Sequence, residues 1–231
     1  VVLTDVCPDT WTLDPEDVAR KLTRRTRAII PAHLYGHPAD MDPILDLARS
    51  KRAWVIEDAA EAHGALYKGA PVGGLGHVGV FSFYGNKIIS TGEGGMVTTR
   101  DAALAGRLRK LRDHGMNPSR RYWHDMVGFN YRMTNLQAAV GVAQLERLTA
   151  MLDARSRVSA RYSKLLSNVR GISLQPHASW AESVCWMYSI LVDGSVPGGR
   201  DGLMESLAAD GIETRPFFHP LHAMPPYRLR R

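Results

Sequence analysis

Short apolar runs alternate with amphipathic stretches through the first hundred residues. The apolar runs predict strands at 1–4, 27–33 and 53–57, and the amphipathic stretches predict helices that begin after Asp14 and Asp40. Aspartate before a helix is typical of an N-cap, because its side chain can accept a hydrogen bond from the first turn. This β-α-β rhythm predicts a parallel sheet covered by helices, with ligands bound at the carboxyl ends of the strands.

The rest of the chain predicts longer helices and several short strands. Strands are expected at 78–84, 96–99, 172–174, 186–192 and 212–215, and helices at 101–113, about 135–166 and about 200–209. A polar loop covers 114–131. We therefore expect 1–133 to belong to a large α/β domain, 134–170 to form a connecting helix and 171–231 to form a small α+β domain.

Composition narrows the class of protein. The chain has 231 residues, of which 45% are hydrophobic, enough to bury a core. No apolar run approaches the roughly 20 residues of a membrane helix, and the first residues do not resemble a signal peptide. Cys7 and Cys185 stand far apart, so we expect a cytoplasmic protein without disulfides. Because no Met begins the chain, we also expect it to be an internal piece of a longer protein.

The net charge of +6 is carried by 23 Arg and only 6 Lys. Acidic residues are interspersed throughout, which favours an ordinary basic surface, and an anionic ligand such as a nucleotide or phosphate is the alternative. Nucleic acid is disfavoured, because the densest basic and aromatic run, at 120–124, lies in no recognised binding motif.

Residues 74–79 read Gly-Leu-Gly-His-Val-Gly, which matches the glycine pattern of dinucleotide-binding loops. That kind of loop needs a strand before it and a helix after it, so that the pyrophosphate meets a helix N-terminus. Here a loop precedes the glycines and a strand follows them. We therefore expect no nicotinamide or flavin site.

Asp58 and Lys87 each follow a buried strand and face the same predicted edge of the sheet. A plain structural salt bridge is one interpretation. However, Ser82 interrupts an apolar strand, and glycines crowd Lys87 on both sides, which leaves room for a flat ligand. A lysine beside apolar walls can be a nucleophile, and a carboxylate can hold a protonated pyridine nitrogen. The residues thus fit pyridoxal phosphate, with Lys87 as Schiff base and Asp58 as partner of the ring nitrogen.

The chain resembles the pyridoxal phosphate-dependent sugar aminotransferases of the DegT/DnrJ/EryC1/StrS family in EDAAEAHGALYKGAPVGGLGHVGVFSFYGNKIISTGEGGMV, GFNYRMTNLQAAVGVAQLERL and ETRPFFHPLH. The resemblance implies an α/β protein of fold type I, the aspartate aminotransferase fold, with a mixed, mostly parallel sheet and a small α+β C-terminal domain. It also implies a homodimer with shared active sites. Such enzymes move an amino group, usually from glutamate, to a keto sugar carried on a nucleotide.

The resemblance also implies site residues by position. Lys87 matches the Schiff-base lysine, Asp58 the acid at the pyridinium nitrogen, and Ser82 the serine that binds the cofactor phosphate. Glu61 occupies a position beside the cofactor ring that often holds Gln or His. Asn130 matches an asparagine that reaches the cofactor phosphate of the other subunit. We expect no metal in this site.

Two alternatives stay open beside this interpretation. The chain holds no Gly-Thr-small-Ala segment of the kind that binds the cofactor phosphate in the family, so a truncated, non-catalytic binding or dimerising module is one alternative. Deoxysugar dehydration is the other, but the related dehydratases carry His in place of the Schiff-base lysine. Lys87 therefore argues against dehydration.

A substrate is implied by similarity within the family. Residues 114–116, 121–124 and 214–222 are most similar to the branch that aminates C4 of GDP-4-keto-6-deoxymannose to give GDP-perosamine for O-antigen synthesis. Another nucleotide-linked keto sugar, aminated at C3 or C4, is the alternative. Guanidinium groups suit a diphosphate, and aromatic rings can stack on a base or cover a sugar. The substrate-binding candidates are Arg121, Trp123, Arg215, Phe217, His219 and His222.

Overall fold

The structure, a computed structural model, describes residues 1–227. Its helices are α1 (Pro15–Lys21), α2 (Met41–Lys51), α3 (Ala102–Arg112), α4 (Asn135–Leu145), α5 (Leu148–Leu166) and α6 (Gly199–Ala209). Its strands are β1 (Ala28–Ile29), β2 (Trp54–Asp58), β3 (Leu66–Tyr67), β4 (Ala70–Pro71), β5 (Val78–Ser82), β6 (Gly95–Thr98), β7 (Ile172–Leu174), β8 (Ala181–Glu182) and β9 (Ile190–Val192). No helix among the described residues combines the length and apolar character needed to cross a membrane.

Side-chain caps explain where several helices begin. Asp14 and Asp101 each accept a hydrogen bond from a backbone N–H in the first turn of α1 and α3. Thr134 and Gln137 form a reciprocal capping box at the start of α4. Asp40 precedes α2 as predicted, but its side chain makes no cap hydrogen bond. Instead, the Tyr67 hydroxyl accepts a hydrogen bond from the Asp42 N–H at 3.1 Å and donates one to Asp40 Oδ1 at 2.8 Å.

The main sheet has the strand order β1-β2-β5-β6. β1, β2 and β5 are parallel, and β6 runs antiparallel to β5, so the predicted mixed, mostly parallel sheet is confirmed. Asp58 at the end of β2 pairs with Val80 of β5. The register therefore places Asp58 and Ser82, the last residues of the two strands, at one edge of the sheet.

The core lies between this sheet and α2. Met41, Ile44 and Ala48 recur at the spacing of one helix face and are almost fully buried, and Val55 of β2 is fully buried as well. Burying one large apolar side chain contributes roughly 1.5–3 kcal/mol. By contrast, no residue of α3, α4, α5 or α6 is buried.

Two smaller sheets were not predicted in full. β3 and β4 form a hairpin to which β8 adds an antiparallel strand, pairing Tyr67 with Ala181. β7 pairs with β9 in a separate two-stranded sheet. The segment before Trp186 thus pairs with the hairpin that lies between β2 and β5 in the chain.

Three sequence predictions are wrong. Residues 1–4 form no strand, and residues 212–215 form none either. Val1 and Val2 are exposed, and no neighbouring strand pairs with them. The helix predicted over 135–166 is interrupted, because Arg147 leaves the helical conformation at φ −101° and ψ 2°. At 1–4 and 212–215, strand propensity without a partner strand does not produce a strand.

Candidate active site

The carboxyl edge of the main sheet carries the predicted acid and the predicted serine. Asp58 is exposed there, and its Oδ1 accepts a hydrogen bond from the Ala60 N–H at 3.1 Å. Ser82 Oγ accepts a hydrogen bond from the Tyr84 N–H at 3.3 Å. Both side chains therefore stand at the ends of adjacent strands, where a ligand of a parallel sheet is expected.

Lys87 lies in the turn that follows β5, with its backbone N–H bonded to the Tyr84 carbonyl. Its Nζ lies 3.7 Å from Oε1 of Glu61, and the two side chains are only 11% and 14% exposed. Among the described residues, the ion pair of Lys87 is with Glu61 and none joins it to Asp58. The plain salt bridge between Asp58 and Lys87 is therefore wrong.

Glu61 interacts both with the amine of Lys87 and with the charge of Asp58. Its Oε2 accepts a hydrogen bond from the Tyr35 N–H at 2.8 Å. Burial raises the pKa of the Glu61 carboxyl, and the negative charge of Asp58 adds to this rise, although Tyr35 and Lys87 oppose it. The charges of Asp58 and Lys87 thus both act on the same carboxyl group.

Trp186 also contacts the lysine, and this contact was not predicted from the sequence. The Lys87 Nζ lies 3.8 Å from the centroid of the Trp186 ring. Tyr35 stacks on Trp186 with ring centroids 6.2 Å apart, and Phe217 stacks on Tyr35 at 5.2 Å. Trp186 is separated from Lys87 by about a hundred residues of chain, so no local pattern could have placed it there.

His63 is a buried histidine packed among aromatic rings near the candidate site. It is 4% exposed and lies against the rings of Phe81 and Phe83. Burial, with a contribution from the charge of Lys87, lowers the pKa of His63 to about 4. Within residues 1–227, neither ring nitrogen has a hydrogen-bond partner. The imidazole is therefore neutral at physiological pH.

Glu57 of β2 is fully buried, and the sequence interpretation missed it. Its carboxylate accepts hydrogen bonds from the backbone N–H groups of Gly73, Leu75 and Gly76 at 2.6–2.8 Å. His33 Nε2 lies 3.1 Å from the same carboxylate. Burial alone would raise the pKa of Glu57, but these bonds outweigh burial and hold it below its ordinary value. A charged residue at an inward position of an apolar strand was the available signal.

The contacts of Glu57 also explain the glycine pattern at 74–79. The strand β5 follows these residues, so the expectation that they form no dinucleotide-binding loop agrees with the observed order of elements. Their role is to wrap a buried carboxylate of the same chain.

The described residues fit the cofactor that the sequence predicts. A Cβ built at Gly92 would meet no atom within 4 Å, and one at Gly85 would meet only the Gly92 carbonyl oxygen at 4.0 Å. This open space adjoins the turn that carries Lys87. A carboxylate, an amine and a hydroxyl at one sheet edge are the groups that a pyridine nitrogen, an aldehyde and a phosphate need.

Phe217 is joined to the site through Tyr35, and the neighbouring Phe218 also stacks on Tyr35, at 5.6 Å. Arg215 is exposed and pairs with Glu213 at 3.7 Å. The other two candidates of this segment, His219 and His222, are exposed. The structure therefore brings only Phe217 of this group into contact with residues beside Lys87.

Each of the two substrate-binding candidates in the 114–131 loop, Arg121 and Trp123, pairs with a neighbouring residue of the loop. The guanidinium of Arg120 lies 4.0 Å from the Trp123 ring centroid, and that of Arg121 lies 4.8 Å from the Tyr122 ring centroid. These side chains are exposed. Within residues 1–227, no hydrogen bond, ion pair or ring contact joins them to Lys87.

Asn130 lies in the same loop and forms an isolated β-bridge with Asp113. It is exposed, so its side chain is accessible on the surface before α4. Asn130 is therefore not one of the residues around Lys87. Its exposed position is compatible with the expected contact to a second subunit.

A mixed, mostly parallel α/β sheet that presents a largely buried lysine beside Glu61, with Asp58 at the same carboxyl edge, has the architecture of the fold type I, pyridoxal phosphate-dependent transferases. The solved structure of a sugar aminotransferase from Micromonospora echinospora shares this fold with a TM-score of 0.88 at 31% identity, over 97% of this chain and 62% of that one. The chain belongs to the DegT/DnrJ/EryC1/StrS aminotransferase family, whose model matches residues 1–231.

Individual relatives agree with this assignment. The chain is 52% identical to the GDP-perosamine synthase of Caulobacter vibrioides, over 98% of this chain and 61% of that protein. It is 37% identical to a Bacillus subtilis protein whose name includes pyridoxal phosphate-dependent aminotransferase, over 97% of this chain and 59% of that protein. The crystal structure of S. venezuelae DesV superposes with a TM-score of 0.91 at 39% identity, over 98% of this chain and 60% of that one. The chain thus spans about three-fifths of the length of these relatives.

Proposed function

We propose that this chain forms the lysine-bearing part of a pyridoxal phosphate-dependent aminotransferase that acts on a nucleotide-linked keto sugar. The observation that carries the proposal is the Lys87 amine, which is held at the carboxyl edge of the main sheet between Glu61 and Trp186. The open space beside Gly85 and Gly92 gives a flat ligand access to this amine. Membership of an aminotransferase family supports the same activity.

The proposed chemistry assigns one task to each residue. When bound, pyridoxal phosphate supplies a pyridine ring that withdraws electrons from a neighbouring carbon. Asp58 holds the proton on the ring nitrogen through a charge-assisted hydrogen bond. Lys87 binds the cofactor covalently and, once free, moves a proton to and from the substrate carbon as general base and acid. Ser82 orients the phosphate with its hydroxyl, and Glu61 lies beside the ring.

The proposed substrate is GDP-4-keto-6-deoxymannose, with glutamate as the amino donor and GDP-perosamine as the product. The 52% identity to a GDP-perosamine synthase supports this choice. Phe217, stacked on Tyr35, is the proposed cover for the sugar or base. Arg121 and Trp123 are proposed to meet the diphosphate and the base, and Arg215, His219 and His222 to complete the pocket, when the substrate is bound.

A homodimer with shared sites is part of the same proposal. Asn130 is exposed on the loop before α4, as a cross-subunit contact to the cofactor phosphate requires. Nearby Tyr131 and Leu136 are 73% and 82% exposed, a large apolar surface for side chains of their size. Sedimentation of the full-length protein should give a dimer, and a monomer that stays fully active on dilution would contradict this part.

Borohydride trapping tests the central proposal. Protein incubated with pyridoxal phosphate, reduced and digested should carry the cofactor on the peptide that contains Lys87. Lys87→Ala should lose this label and lower transamination by the full-length protein by at least about a hundredfold, because a positioned acid and base contributes 10²–10⁴-fold. Lys164→Ala, at an exposed position on α5, is the matched control and should keep both. A Lys87→Ala variant with near-normal turnover would overturn the assignment.

A substrate panel tests the sugar. The full-length protein should aminate GDP-4-keto-6-deoxymannose at C4 in preference to dTDP- and UDP-linked 4-keto-6-deoxy sugars, with glutamate as donor in each reaction. A preference for a dTDP or UDP sugar, or amination at C3, would replace the proposed substrate and leave the aminotransferase proposal intact.

A further inference from the structure

Trp186 is fixed against the lysine by three hydrogen bonds, two of its backbone and one of its indole. Its backbone N–H donates to the Tyr35 carbonyl at 3.0 Å, and its carbonyl accepts from Arg155 Nη1 at 3.0 Å. Its ring Nε1–H donates to the Asn86 carbonyl at 2.8 Å. Asn86 immediately precedes Lys87, so the ring is anchored to the turn that carries the amine.

The backbone around Trp186 leaves little freedom for another arrangement. Gly36 has φ +89°, and a Cβ built there would lie 2.7 Å from Val184 Cγ2 and 3.0 Å from the Trp186 backbone nitrogen. Only glycine therefore permits this close approach. Trp186 itself is 5% exposed, so the contact with Lys87 takes place largely out of water.

We propose that the face of Trp186 binds the protonated Lys87 amine and is a further residue of the active site. The Nζ at 3.8 Å from the ring centroid has the geometry of a cation–π contact, and tryptophan has the most strongly binding face for such contacts. This inference rests on the proposed function for the reaction in which the amine takes part. In that reaction, Trp186 stabilises the positive charge of the Lys87 amine after the amine has taken up a proton.

An indole face suits this task for a chemical reason. A carboxylate that stabilises an ammonium group can also accept its proton, whereas the indole ring nitrogen is a donor only. In this structure that donor is already bonded to the Asn86 carbonyl. Trp186 can therefore hold the charged amine in place without competing with the substrate carbon for the proton.

The other charged and titratable groups around the amine are few. Glu61 lies 3.7 Å from Nζ, and the charge of Asp58 acts on Glu61. His63 is neutral at physiological pH because burial lowers its pKa to about 4. Arg155 reaches the Trp186 carbonyl from α5 and adds a positive charge. The indole face is therefore an uncharged partner for the ammonium group, on a different element from Glu61.

The test measures the reactivity of the lysine without cofactor. The full chain is labelled with trace acetic anhydride at a fixed pH near 8, and acetylation of Lys87 is compared with that of exposed Lys164 by mass spectrometry. Acetic anhydride reacts with the neutral amine only, so loss of a group that stabilises the ammonium form should speed the reaction. Trp186→Leu should raise the Lys87 rate relative to Lys164 by about tenfold, and Trp186→Phe should raise it less, because phenylalanine keeps a weaker aromatic face.

Leucine also changes access to the amine, so a second series separates charge from access. Replacing tryptophan with mono-, di- and trifluorotryptophan weakens the negative ring face with little change of shape. The relative rate of Lys87 acetylation should rise stepwise with the number of fluorines. A flat fluorine series, or a Trp186→Leu variant that is folded by circular dichroism and reacts at the wild-type rate, would overturn the inference. Failure of borohydride trapping with an intact fluorine series would overturn the proposed function instead.

Discussion

Residues 1–91, which include the parallel strands of the main sheet, and the helices between Ala102 and Leu166 differ in how many of their side chains are buried. Apart from Trp186, the buried hydrophobic residues of the described part of the chain all lie between Val18 and Ile89. The helices α3, α4 and α5 contain no buried residue, although two of them begin with well-formed caps. Local signals thus determine where these helices form, whereas long-range burial determines the sheet that holds the candidate site. The stability of the described chain is therefore concentrated around that site.

The largest difference between the two regions is expected when a large apolar side chain is truncated in each and the free energies of unfolding are compared. Ile44→Ala removes a fully buried side chain from α2, and its free energy of unfolding should fall by about 2–5 kcal/mol. Leu136→Ala on α4 removes an 82% exposed side chain of the same size and should change it by less than about 0.5 kcal/mol. Urea denaturation of both variants measures the two values. Equal losses would refute the concentration of stability around the sheet.

A second comparison replaces one carboxylate in each region with an amide and measures the free energy of unfolding. Glu57→Gln keeps the side-chain volume but points an amide group at backbone N–H donors, so the unfolding free energy should fall by about 2–4 kcal/mol. Glu146→Gln, at an exposed position after α4, is the matched control and should be nearly neutral. If the two variants melt together, the buried carboxylate is not what organises residues 73–76.

The pH dependence of stability should report the buried imidazole. The pKa of His63 falls from 6.5 to about 4 in the folded chain, first through burial and then through the charge of Lys87. Between these values the unfolded chain binds more protons, so stability falls as pH decreases from 6.5 towards 4. At about 1.4 kcal/mol per pH unit, the loss across this window is about 3 kcal/mol.

His63→Phe removes the titrating group while keeping an aromatic ring between Phe81 and Phe83. Its unfolding free energy should depend less on pH across this window than that of the wild type. The difference between the two curves isolates the contribution of His63 from that of other groups. Parallel curves would mean that the imidazole accepts a proton in the folded state as easily as in the unfolded one.

The smallest effect is expected from a purely local change. Thr134→Ala removes the hydroxyl that caps α4 and should cost about 1 kcal/mol within that helix. Because α4 is exposed, hydrogen exchange of its first amides should quicken about fivefold while the amides of β2 keep their protection. If hydrogen exchange of the β2 amides changed by the same factor, the two regions would unfold together.

Much of the main sheet could be predicted from sequence, because its signals are local. Asp14 begins α1 as predicted, and the apolar runs predicted the strands β2 and β5, at whose ends Asp58 and Ser82 lie. Lys87 was singled out as a candidate by its place after an apolar strand and by its glycine neighbours, and its role stays a prediction. Residues whose partners lie nearby in the chain were therefore accessible to this reasoning.

What could not be predicted depends on distant pairing. β8 joins Tyr67 to Ala181 through strands of two residues, which are too short to show a periodic pattern. Trp186 reaches Lys87 only because its backbone pairs with Tyr35. The interruption at Arg147 falls in a sequence of good helix formers, so no glycine or proline marks it. In each case the deciding interaction lies in the tertiary structure.

The loop around Glu57 has a consequence for how its glycines are understood. Successive backbone N–H groups that converge on one point form a nest, which in other proteins captures a free phosphate or carboxylate. Here the anion belongs to the chain, and Gly73 and Gly76 both bind it at 2.6 Å. A covalently tethered ligand acts at a very high effective concentration, so an external anion would have to displace it from a buried position. These N–H groups therefore stabilise the fold by binding Glu57. The Glu57 carboxylate occupies the place that an external anion takes in a nucleotide-binding loop.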